Sequence, residues 1–442
     1  MNLFNKTKTS AQAQQKEKLR ICLIGEKIQV QSRSSDTGLL WPLARGLSKK
    51  GHEVTIISST SPLKKHEIYR DGIRAYYLFD GVSTFKTLRF VDAVHRKFIS
   101  LSTQKTFDIV HCLDAGGYKI GRHKKNFSTC VAYDVQATTM SEVFSILAEN
   151  NGSLNSQLKT SLKLGYRFIH NYFTHDRSLL ETADGIFVTT PQQRMILERY
   201  FLFPDYHTYT VPYGINLGDL APREESQSFK LKVNIPEDSK IILAVSDFTN
   251  AFEIIPLLKA FEKIILKDSQ VYLFVVGDGP RWKEVEYEML RRILGSRVIL
   301  TGALNAEEIL DYISASSIYV DLSSRSTGLE PSLIEAMAQK KIVIGSELSP
   351  ISEIIEDGKD GFLVRPADDM SIYKYISQTL HEDSSYESIG HAARDKVLQF
   401  FNREKMIDAL LDAYYQIINK SLPFKHRKNK PETKERVFSK AE

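Results

Sequence analysis

Short, almost wholly apolar segments alternate along the chain with longer segments in which apolar residues recur every three or four positions. The first apolar run, Leu19–Gly25, is followed by helical spacing over Gly38–Lys49 and by a second apolar run over Glu53–Ser58. A strand that is buried on both faces reads as a continuous apolar run, whereas a surface helix shows the longer period. The pattern therefore predicts a β-α-β unit of parallel sheet.

The same alternation occurs as two separate series, one in each half of the chain. The first half adds five predicted strands: Ile73–Phe79, Phe107–Cys112, Thr129–Val135, Gly185–Thr189 and Tyr209–Pro212. The second half predicts five more: Ile241–Ser246, Val271–Val276, Val298–Thr301, Ile318–Leu322 and Ile342–Ser346. Strands that alternate with helices are typical of α/β proteins with parallel sheets. We therefore expect two doubly wound, Rossmann-like domains.

The predicted domain boundary lies in a polar, proline-containing stretch, Ala221–Glu237. It gives a first domain over residues 18–222 and a second over 223–402, between tails at 1–17 and 421–442. Further helical patterns cover Leu154–Ala183, Ser371–Gln378, Tyr386–Phe400 and Arg403–Asn419. Ligands of open α/β sheets bind outside the carboxyl ends of the strands. Two such domains predict a ligand cleft between them.

Composition excludes several classes of protein. Of the 442 residues, 42% are hydrophobic and 26% charged, which is ordinary for a globular protein and not for a disordered chain. No apolar run is long enough for a membrane span, and residues 1–18 lack the apolar core of a signal peptide, so we expect a cytoplasmic protein. The three cysteines are too few and scattered for a disulfide framework or a metal site, and we expect buried free thiols.

The net charge of +5 is concentrated at the two ends of the chain. Residues 1–20 and residues 421–442 each carry +4, which leaves −3 for the body between them. A nucleic-acid-binding protein would carry its positive charge on a folded face, so that class is not favoured. Two interpretations of the tails remain open: solvated, disordered ends, or segments that are weakly attracted to an anionic membrane surface.

Several segments, in order along the chain, resemble glycosyltransferases of family four, which have the GT-B fold. In the second half these are Val275–Pro280 (VVGDGP), Thr327–Ala338 (TGLEPSLIEAMA) and Lys340–Val364, which ends in an acidic turn with DGKDG. The first half contributes four more: Gly46–Ile57, Phe107–His111, Ala183–Gln193 and Val211–Pro222. Each segment alone is a weak match, and the ordered series is a specific one.

The resemblance implies a retaining transfer of a hexosyl unit from a nucleotide-sugar donor to an acceptor. The second domain would hold the donor and the first would receive the acceptor, with the last helix, within residues 403–420, crossing back onto the first domain. Metal ions are usually not required in the family, so no cofactor is expected beside the nucleotide-sugar co-substrate. The family also suggests an envelope glycan or a lipid-linked acceptor, and with it a location at the inner face of the membrane.

The strongest site prediction falls on Glu335, which matches the second glutamate of the family motif. A carboxylate there can accept hydrogen bonds from both ribose hydroxyls of the donor. The preceding Gly328 and Leu329 lie just before a predicted helix, whose N-terminal amides can stabilise the charge that develops on a leaving diphosphate. The alternatives are a solvated glutamate and a plain loop-to-helix turn.

The chain departs from the family pattern at two places. The first family glutamate is replaced by Thr327, and the nearby Glu330 is either its substitute or a carboxylate that stabilises the helix start. The arginine and lysine that face the diphosphate in the family fall on Asp247 and Phe252, and Asp247 would repel a diphosphate.

Two arginines could replace the missing cations: Arg325 before Thr327, and Arg281 after Gly279-Pro280. If neither does, the chain would be a catalytically impaired homologue that acts as a binding or scaffolding partner. A GT-B enzyme that uses a sugar phosphate is a further alternative.

The remaining candidates are weaker. Ser246 and Glu353 match positions near the donor, and Gly38 remains from a glycine-rich loop that approaches the donor or acceptor. Gln136 stands where the family often has histidine, and it can bind an acceptor hydroxyl without acting as a base. His111 is expected to be a buried strand histidine. The candidate catalytic set is therefore Glu330, Arg325 and Gln136.

The segment Phe85–Lys105 is basic and has apolar residues at helical spacing. We expect a helix that packs one face on the sheet and exposes a charged face. The alternative is a helix that lies in a membrane interface, which would suit a lipid-linked acceptor.

Overall fold

The computed structural model describes fourteen stretches of the chain. They are residues 17–25, 40–60, 65–79, 87–135, 165–166, 177–200, 202–215, 227–248, 250–304, 306–323, 331–348, 351–365, 367–381 and 383–428. These stretches contain two separate sheets flanked by helices, as the alternating pattern predicts.

The first sheet has eight strands and is parallel except at one edge. Its strands are β1 (Arg20–Gly25), β2 (Glu53–Thr60), β3 (Glu67–Arg70), β4 (Ile73–Phe79), β5 (Ile109–Cys112), β6 (Cys130–Asp134), β7 (Gly185–Val188) and β8 (Thr208–Thr210). They lie in the order β3-β4-β2-β1-β5-β6-β7-β8, and only β3 pairs antiparallel. The five helices described with this sheet are α1 (Leu40–Lys49), α2 (Thr87–Ser102), α3 (Tyr118–Arg122), α4 (Arg177–Thr182) and α5 (Pro191–Tyr200).

The second sheet has six strands, all parallel. They are β9 (Lys240–Val245), β10 (Val271–Val276), β11 (Val298–Gly302), β12 (Ile318–Asp321), β13 (Ile342–Ser346) and β14 (Phe362–Val364), in the order β11-β10-β9-β12-β13-β14. The helices described around it are α6 (Gln227–Lys232), α7 (Ile255–Ile265), α8 (Trp282–Arg291), α9 (Ala306–Ala315), α10 (Pro331–Ala338), α11 (Ile351–Ile354), α12 (Asp369–His381) and α13 (Asp383–Phe400). Strand order reverses between β9 and β12, which is where such sheets bind ligands.

Each sheet carries an apolar core on both faces, which explains why its strands are almost continuously apolar. In the first sheet one core faces α1 and the other faces α2 to α5. In the second sheet one core faces α9, α10 and α13, and the other faces α7, α8 and α12. Helix α7 shows how the period works: Leu257, Leu258, Phe261 and Ile264 fall on its buried side.

The last helix, α14 (Arg403–Lys428), returns from the second domain to the first sheet. Its apolar residues join the core beside α1: Met406, Ile407, Leu410, Leu411, Ala413, Tyr414 and Ile417. Gly46 of α1 allows the close approach, since a Cβ atom there would lie 2.5 Å from Cγ1 of Ile407. The return of the last helix to the first domain, which the resemblance implies, is confirmed. The helix continues to Lys428, so the basic segment 421–428 is helical and not an irregular tail.

The chain passes from the first domain to the second near residue 215 and returns near residue 402, and the two crossings are bonded to each other. The amide of Ile215 donates to the carbonyl of Phe401 at 2.9 Å, and the amide of Arg403 donates back to the carbonyl of Ile215 at 3.1 Å. Val211 belongs to a first-domain core and Ile215 to a second-domain core. The chain therefore passes between the cores at 211–215, ahead of the polar stretch that marks the predicted boundary.

Helix α2 lies within the basic segment Phe85–Lys105 and settles how that segment packs. Its apolar residues Phe90, Val94 and Phe98 are fully buried against the first sheet. An apolar face that is already covered cannot insert into lipid, so the hypothesis of a helix embedded in a membrane interface is wrong for this face. No helix in the fourteen described stretches combines the length and hydropathy needed to cross a bilayer.

All three cysteines are buried and free, as predicted. Burial raises the pKa of Cys22 and of Cys112, so both stay protonated near neutral pH.

Candidate active site at the carboxyl edge of the second sheet

The carboxyl ends of four neighbouring strands are joined in two pairs by hydrogen bonds, β9 with β10 and β12 with β13. The amide of Ser246, directly after β9, donates to the carbonyl of Val276 at the end of β10 at 2.9 Å. On the other side, the hydroxyl of Ser346, at the end of β13, donates to the carbonyl of Ser323 at 2.8 Å. The amide of Ser323 in turn donates to the carboxylate of Asp321 at the end of β12, at 3.0 Å. We call the residues joined by these bonds, Ser246, Val276, Asp321, Ser323 and Ser346, the floor of the candidate site.

Glu335 lies one turn inside α10, the helix that follows β12. Ser332, at the start of the same helix, is held by a 2.6 Å hydrogen bond between its hydroxyl and that of Tyr319 on β12. Glu335 is only 8% exposed, and every residue from Ser332 to Ala338 is buried. The alternative of a solvated glutamate is therefore wrong. A buried carboxylate needs polar partners, and its place near a helix N-terminus is electrostatically favourable.

Ser246 is buried, and its hydroxyl connects the loop after β9 to a second buried carboxylate. The hydroxyl accepts a hydrogen bond from the amide of Phe248 at 3.1 Å and donates to Oε2 of Glu253 at 3.3 Å. Glu253 is 3% exposed and lies with Ser246 and Ser323 between the ends of β9 and β12. Glu253 was not among the predicted site residues. The available signal was a single charged residue inside the apolar stretch 251–258.

Asp247, at the position where the resemblance predicts an arginine, is half-buried in the same loop. It follows Ser246 directly, and a second carboxylate, that of Glu253, is bonded to the hydroxyl of Ser246. The side chain of Phe252 lies outside the described residues. The backbone of this loop is held by the residue that follows the VVGDGP turn: the amide of Arg281 donates to the carbonyl of Phe248 at 2.9 Å.

The side chain of Arg281 is not buried against this floor. It precedes α8, its side chain is 59% exposed, and its Nη1 lies 3.3 Å from Oε2 of Glu284 on the same helix. Glu353 is also exposed, on the short helix α11. Asp278 accepts a hydrogen bond from the amide of Gly279 at 2.7 Å, which stabilises the turn after β10. Of the predicted donor-site residues that the structure describes, only Ser246 and Glu335 are buried.

The other predicted site residues lie outside the described residues. They are Gly38, Gln136, Arg325, Thr327, Gly328, Leu329 and Glu330. All three members of the candidate catalytic set are among them, so their roles stay predictions.

His111 is a structural residue, as expected. It lies on β5, is 3% exposed, and its Nδ1 is 2.7 Å from the hydroxyl of Tyr414 on α14. Burial lowers the pKa of His111 to about 3, so its imidazole is neutral near pH 7. A neutral, enclosed ring that helps to hold α14 has no access to an acceptor.

Comparisons with known proteins agree with this fold. N-acetyl-alpha-D-glucosaminyl L-malate synthase of Bacillus anthracis is 23% identical over 387 residues, which span 85% of this chain and 92% of that protein. Sucrose-phosphate synthase from Thermosynechococcus elongatus superposes with a TM-score of 0.74 at 20% identity, over 91% of this chain and all of that one. HepE from Anabaena, solved in complex with UDP-glucose, has a TM-score of 0.64 at 13% identity, over 92% of this chain and all of that one.

Two family models match the two halves of the chain in order. The model described as glycosyl transferase 4-like matches residues 29–174, and the model described as glycosyl transferases group 1 matches residues 225–396. The second match contains the whole hydrogen-bonded floor, Glu253 and Glu335. The two matched families and the two-sheet fold identify the protein as a glycosyltransferase of the family-four type with the GT-B fold.

Proposed function

We propose that this glycosyltransferase moves a sugar from a nucleoside diphosphate sugar to a hydroxyl of an envelope glycan or a lipid-linked acceptor, with retention of the anomeric configuration. The donor binds at the carboxyl edge of the second sheet, and the acceptor enters from the first domain. The single observation that carries the proposal is the buried carboxylate of Glu335, one turn inside α10 at this edge.

The chemistry of a ribose suits Glu335. An ionised carboxylate only accepts hydrogen bonds, and the two adjacent ribose hydroxyls can both donate to it. Hydrogen bonds to a charged group are stronger than those between neutral groups, and they strengthen further where water is excluded. A nucleotide bound here extends its diphosphate toward the start of α10, where the helix amides favour negative charge.

The relatives support a nucleotide-sugar donor. HepE has been solved with UDP-glucose, and the Bacillus anthracis relative is named for a product, N-acetyl-alpha-D-glucosaminyl L-malate, that contains a sugar. In this proposal no metal or cofactor takes part besides the nucleotide-sugar co-substrate.

Nucleotide binding tests the proposal directly. Calorimetry with UDP, GDP and ADP is expected to give micromolar affinity for one of the three. Glu335→Gln is expected to weaken that affinity by about 10- to 100-fold, because it removes one or two hydrogen bonds to a charged group. The matched control is Glu286→Gln, an exposed glutamate on α8 in the same domain, which is expected to leave the affinity unchanged.

Two results would contradict the donor site. Folded protein that binds none of the three nucleotides would favour the impaired homologue. Equal affinity of the wild type and Glu335→Gln would place the nucleotide elsewhere.

A further inference from the structure

Three large apolar side chains are exposed at the end of α8. Tyr287 is 64% exposed, Leu290 is 61% exposed and Ile293 is 87% exposed. Tyr287 and Leu290 are three positions apart and lie on one face of the helix, and Ile293 follows two positions after its last residue. We call these three residues the α8 patch. Single exposed apolar residues are common, whereas a group of them on one surface marks a place where another molecule binds.

Ile293 is held in a backbone conformation that an isoleucine rarely adopts. Its φ is +57°, in the left-handed region, and a β-branched side chain is poorly suited to it. The amide of Ile293 donates to the carbonyl of Leu290 at 3.0 Å, and the amide of Leu294 donates to that of Met289 at 3.1 Å. These two bonds form a Schellman helix end, whose left-handed position is usually glycine. An isoleucine there strains the backbone and exposes an apolar side chain, and a contact with another molecule would offset both costs.

Two opposite charges lie beside the α8 patch, one toward each end of the helix. Glu286 is exposed, and in the part of the chain that the structure describes no cation lies within ion-pair distance of it. Arg291 is 52% exposed, with its Nη2 2.8 Å from Oε2 of Glu288. Nη2 of Arg292 lies 3.4 Å from the same oxygen, so Glu288 keeps a partner if Arg291 turns to another carboxylate. The patch is therefore flanked by a carboxylate on one side and an available guanidinium on the other.

We propose that two copies of this chain associate through the α8 patch, with their α8 helices packed antiparallel about a twofold axis. In such a contact, residue i of one copy faces residue j of the other, and residue j faces residue i. When Tyr287 of each copy faces Leu290 of the other, Glu286 of each faces Arg291 of the other, because both pairs are centred on the same point of the helix. One register therefore satisfies the apolar and the charged side chains together.

The placement of the two charges favours a second copy over a different protein. A different partner could bind the patch with any arrangement of charges around it. A twofold contact needs opposite charges at equal distances from its centre, and Glu286 and Arg291 meet that condition.

Helix α8 also lies where a second copy can reach it. It joins β10 to β11, the strand at one edge of the second sheet, so it is the outermost helix at that end of its face. It runs from the carboxyl edge back toward the start of β11, so its last turn lies away from the candidate site and association leaves that site open. A contact built on one ten-residue helix of each copy, about 15 Å long, is small, and we expect a micromolar dissociation constant.

Sedimentation velocity of the full chain tests the proposal without any nucleotide. Wild-type protein is expected to pass from monomer to dimer between about 1 and about 100 μM, a range that brackets a micromolar dissociation constant. Leu290→Glu is expected to weaken association at least about 100-fold, because each dimer would bury two unpaired carboxylates. The matched control Leu231→Glu makes the same change at a leucine that is 76% exposed on α6, on the opposite face of the second sheet, and is expected to associate as the wild type does.

An exchange of the two charges tests the register. Glu286→Arg and Arg291→Glu are each expected to weaken self-association by about tenfold or more, because each creates two like-charge contacts in the dimer. An equimolar mixture of the two variants is expected to associate as the wild type does, since both arginines of one chain then face both glutamates of the other. A mixture that associates no better than its components would overturn the antiparallel pairing.

The variant Ile293→Gly separates association from the stability of the helix end. Glycine suits the left-handed backbone at this position, so the variant is expected to unfold at a higher urea concentration than the wild type. It is also expected to associate at least about tenfold more weakly, because each copy loses an apolar side chain from the contact. A side chain with only a structural role would not give these opposite changes.

Three outcomes would overturn the proposal. They are wild-type protein that stays monomeric at about 100 μM, association of Leu290→Glu equal to that of the wild type, and a loss in Leu231→Glu as large as that in Leu290→Glu. The first would leave the patch to a different partner, and the other two would exclude association through α8. Thermal melting checks that each variant is folded. Nucleotide affinity is expected to be the same in the wild type and in all these variants, so failure of this test does not bear on Glu335.

Discussion

Replacing Gly277 with alanine is expected to destabilise the second domain by at least about 3 kcal/mol and to abolish nucleotide binding. Gly277 follows β10 with a φ of +133°, a conformation that residues with a side chain rarely adopt. A Cβ atom at this position would lie 1.7 Å from the carbonyl oxygen of Ser246. That oxygen belongs to the backbone, so it can move only if the hydrogen-bonded floor of the candidate site moves with it.

Two other glycines separate the causes of this effect. Gly302 also has a positive φ, +77°, but no atom lies within 4 Å of its hypothetical Cβ, so Gly302→Ala measures backbone strain alone, at about 1–2 kcal/mol. Gly295 has neither a positive φ nor a close neighbour, and Gly295→Ala is expected to change stability by less than about 0.5 kcal/mol. Urea unfolding of the three variants gives the ranking. A Gly277→Ala variant as stable as Gly295→Ala would contradict the close packing that we describe.

The strands of both sheets were largely predictable because a doubly wound sheet leaves an unusually clear pattern. Val271–Val276 and Ile342–Ser346 match the predicted strands at both ends, since each is a continuous apolar run that is fully buried. The two strands that the pattern missed lie at the sheet edges. β3 is a four-residue strand whose side chains are mostly exposed, and β14 has only three residues. Such strands carry too little apolar sequence to stand out.

The candidate site was predictable only in part, because its residues act through partners that are distant in the sequence. Glu335 could be found from a motif that surrounds it. Glu253 could not, because its contact with Ser246 depends on how the loop after β9 folds over the turn at Gly277. Arg281 was proposed from its proximity in sequence to that turn, and the start of α8 directs it to Glu284 instead.

The docking of α14 depends on a histidine that must stay uncharged. His111 lies beneath the helix, with its ring 4.6 Å from that of Phe187 and its Nδ1 bonded to the hydroxyl of Tyr414. Burial raises the pKa of Tyr414, so its hydroxyl keeps its proton and can donate to Nδ1 or accept from it, according to the tautomer of the ring. A second proton on the ring would place a positive charge inside an apolar core.

The stability of the protein is therefore expected to fall in mild acid because of His111. The pKa of His111 is about 3 in the folded state and near 6.5 in the unfolded chain, so between these values the unfolded state binds more protons. Folded-state stability is then lost as the pH drops below about 6.5, at about 1.4 kcal/mol per pH unit. By about pH 5 the contribution of this one residue to the loss is about 2 kcal/mol.

The change in unfolding free energy between about pH 7.5 and pH 5 isolates this contribution. His111→Gln is expected to reduce that change by about 2 kcal/mol, even though the substitution also lowers stability at both pH values, because only the difference between the two conditions is compared. His381→Gln, at an exposed histidine at the end of α12, is the matched control, and its change in unfolding free energy between the two conditions is expected to equal that of the wild type. Tyr414→Phe removes the hydrogen bond but leaves the imidazole buried, so most of the acid sensitivity is expected to remain. If the unfolding free energy of His111→Gln falls as much in acid as that of the wild type, the neutral His111 is not the cause of the acid sensitivity.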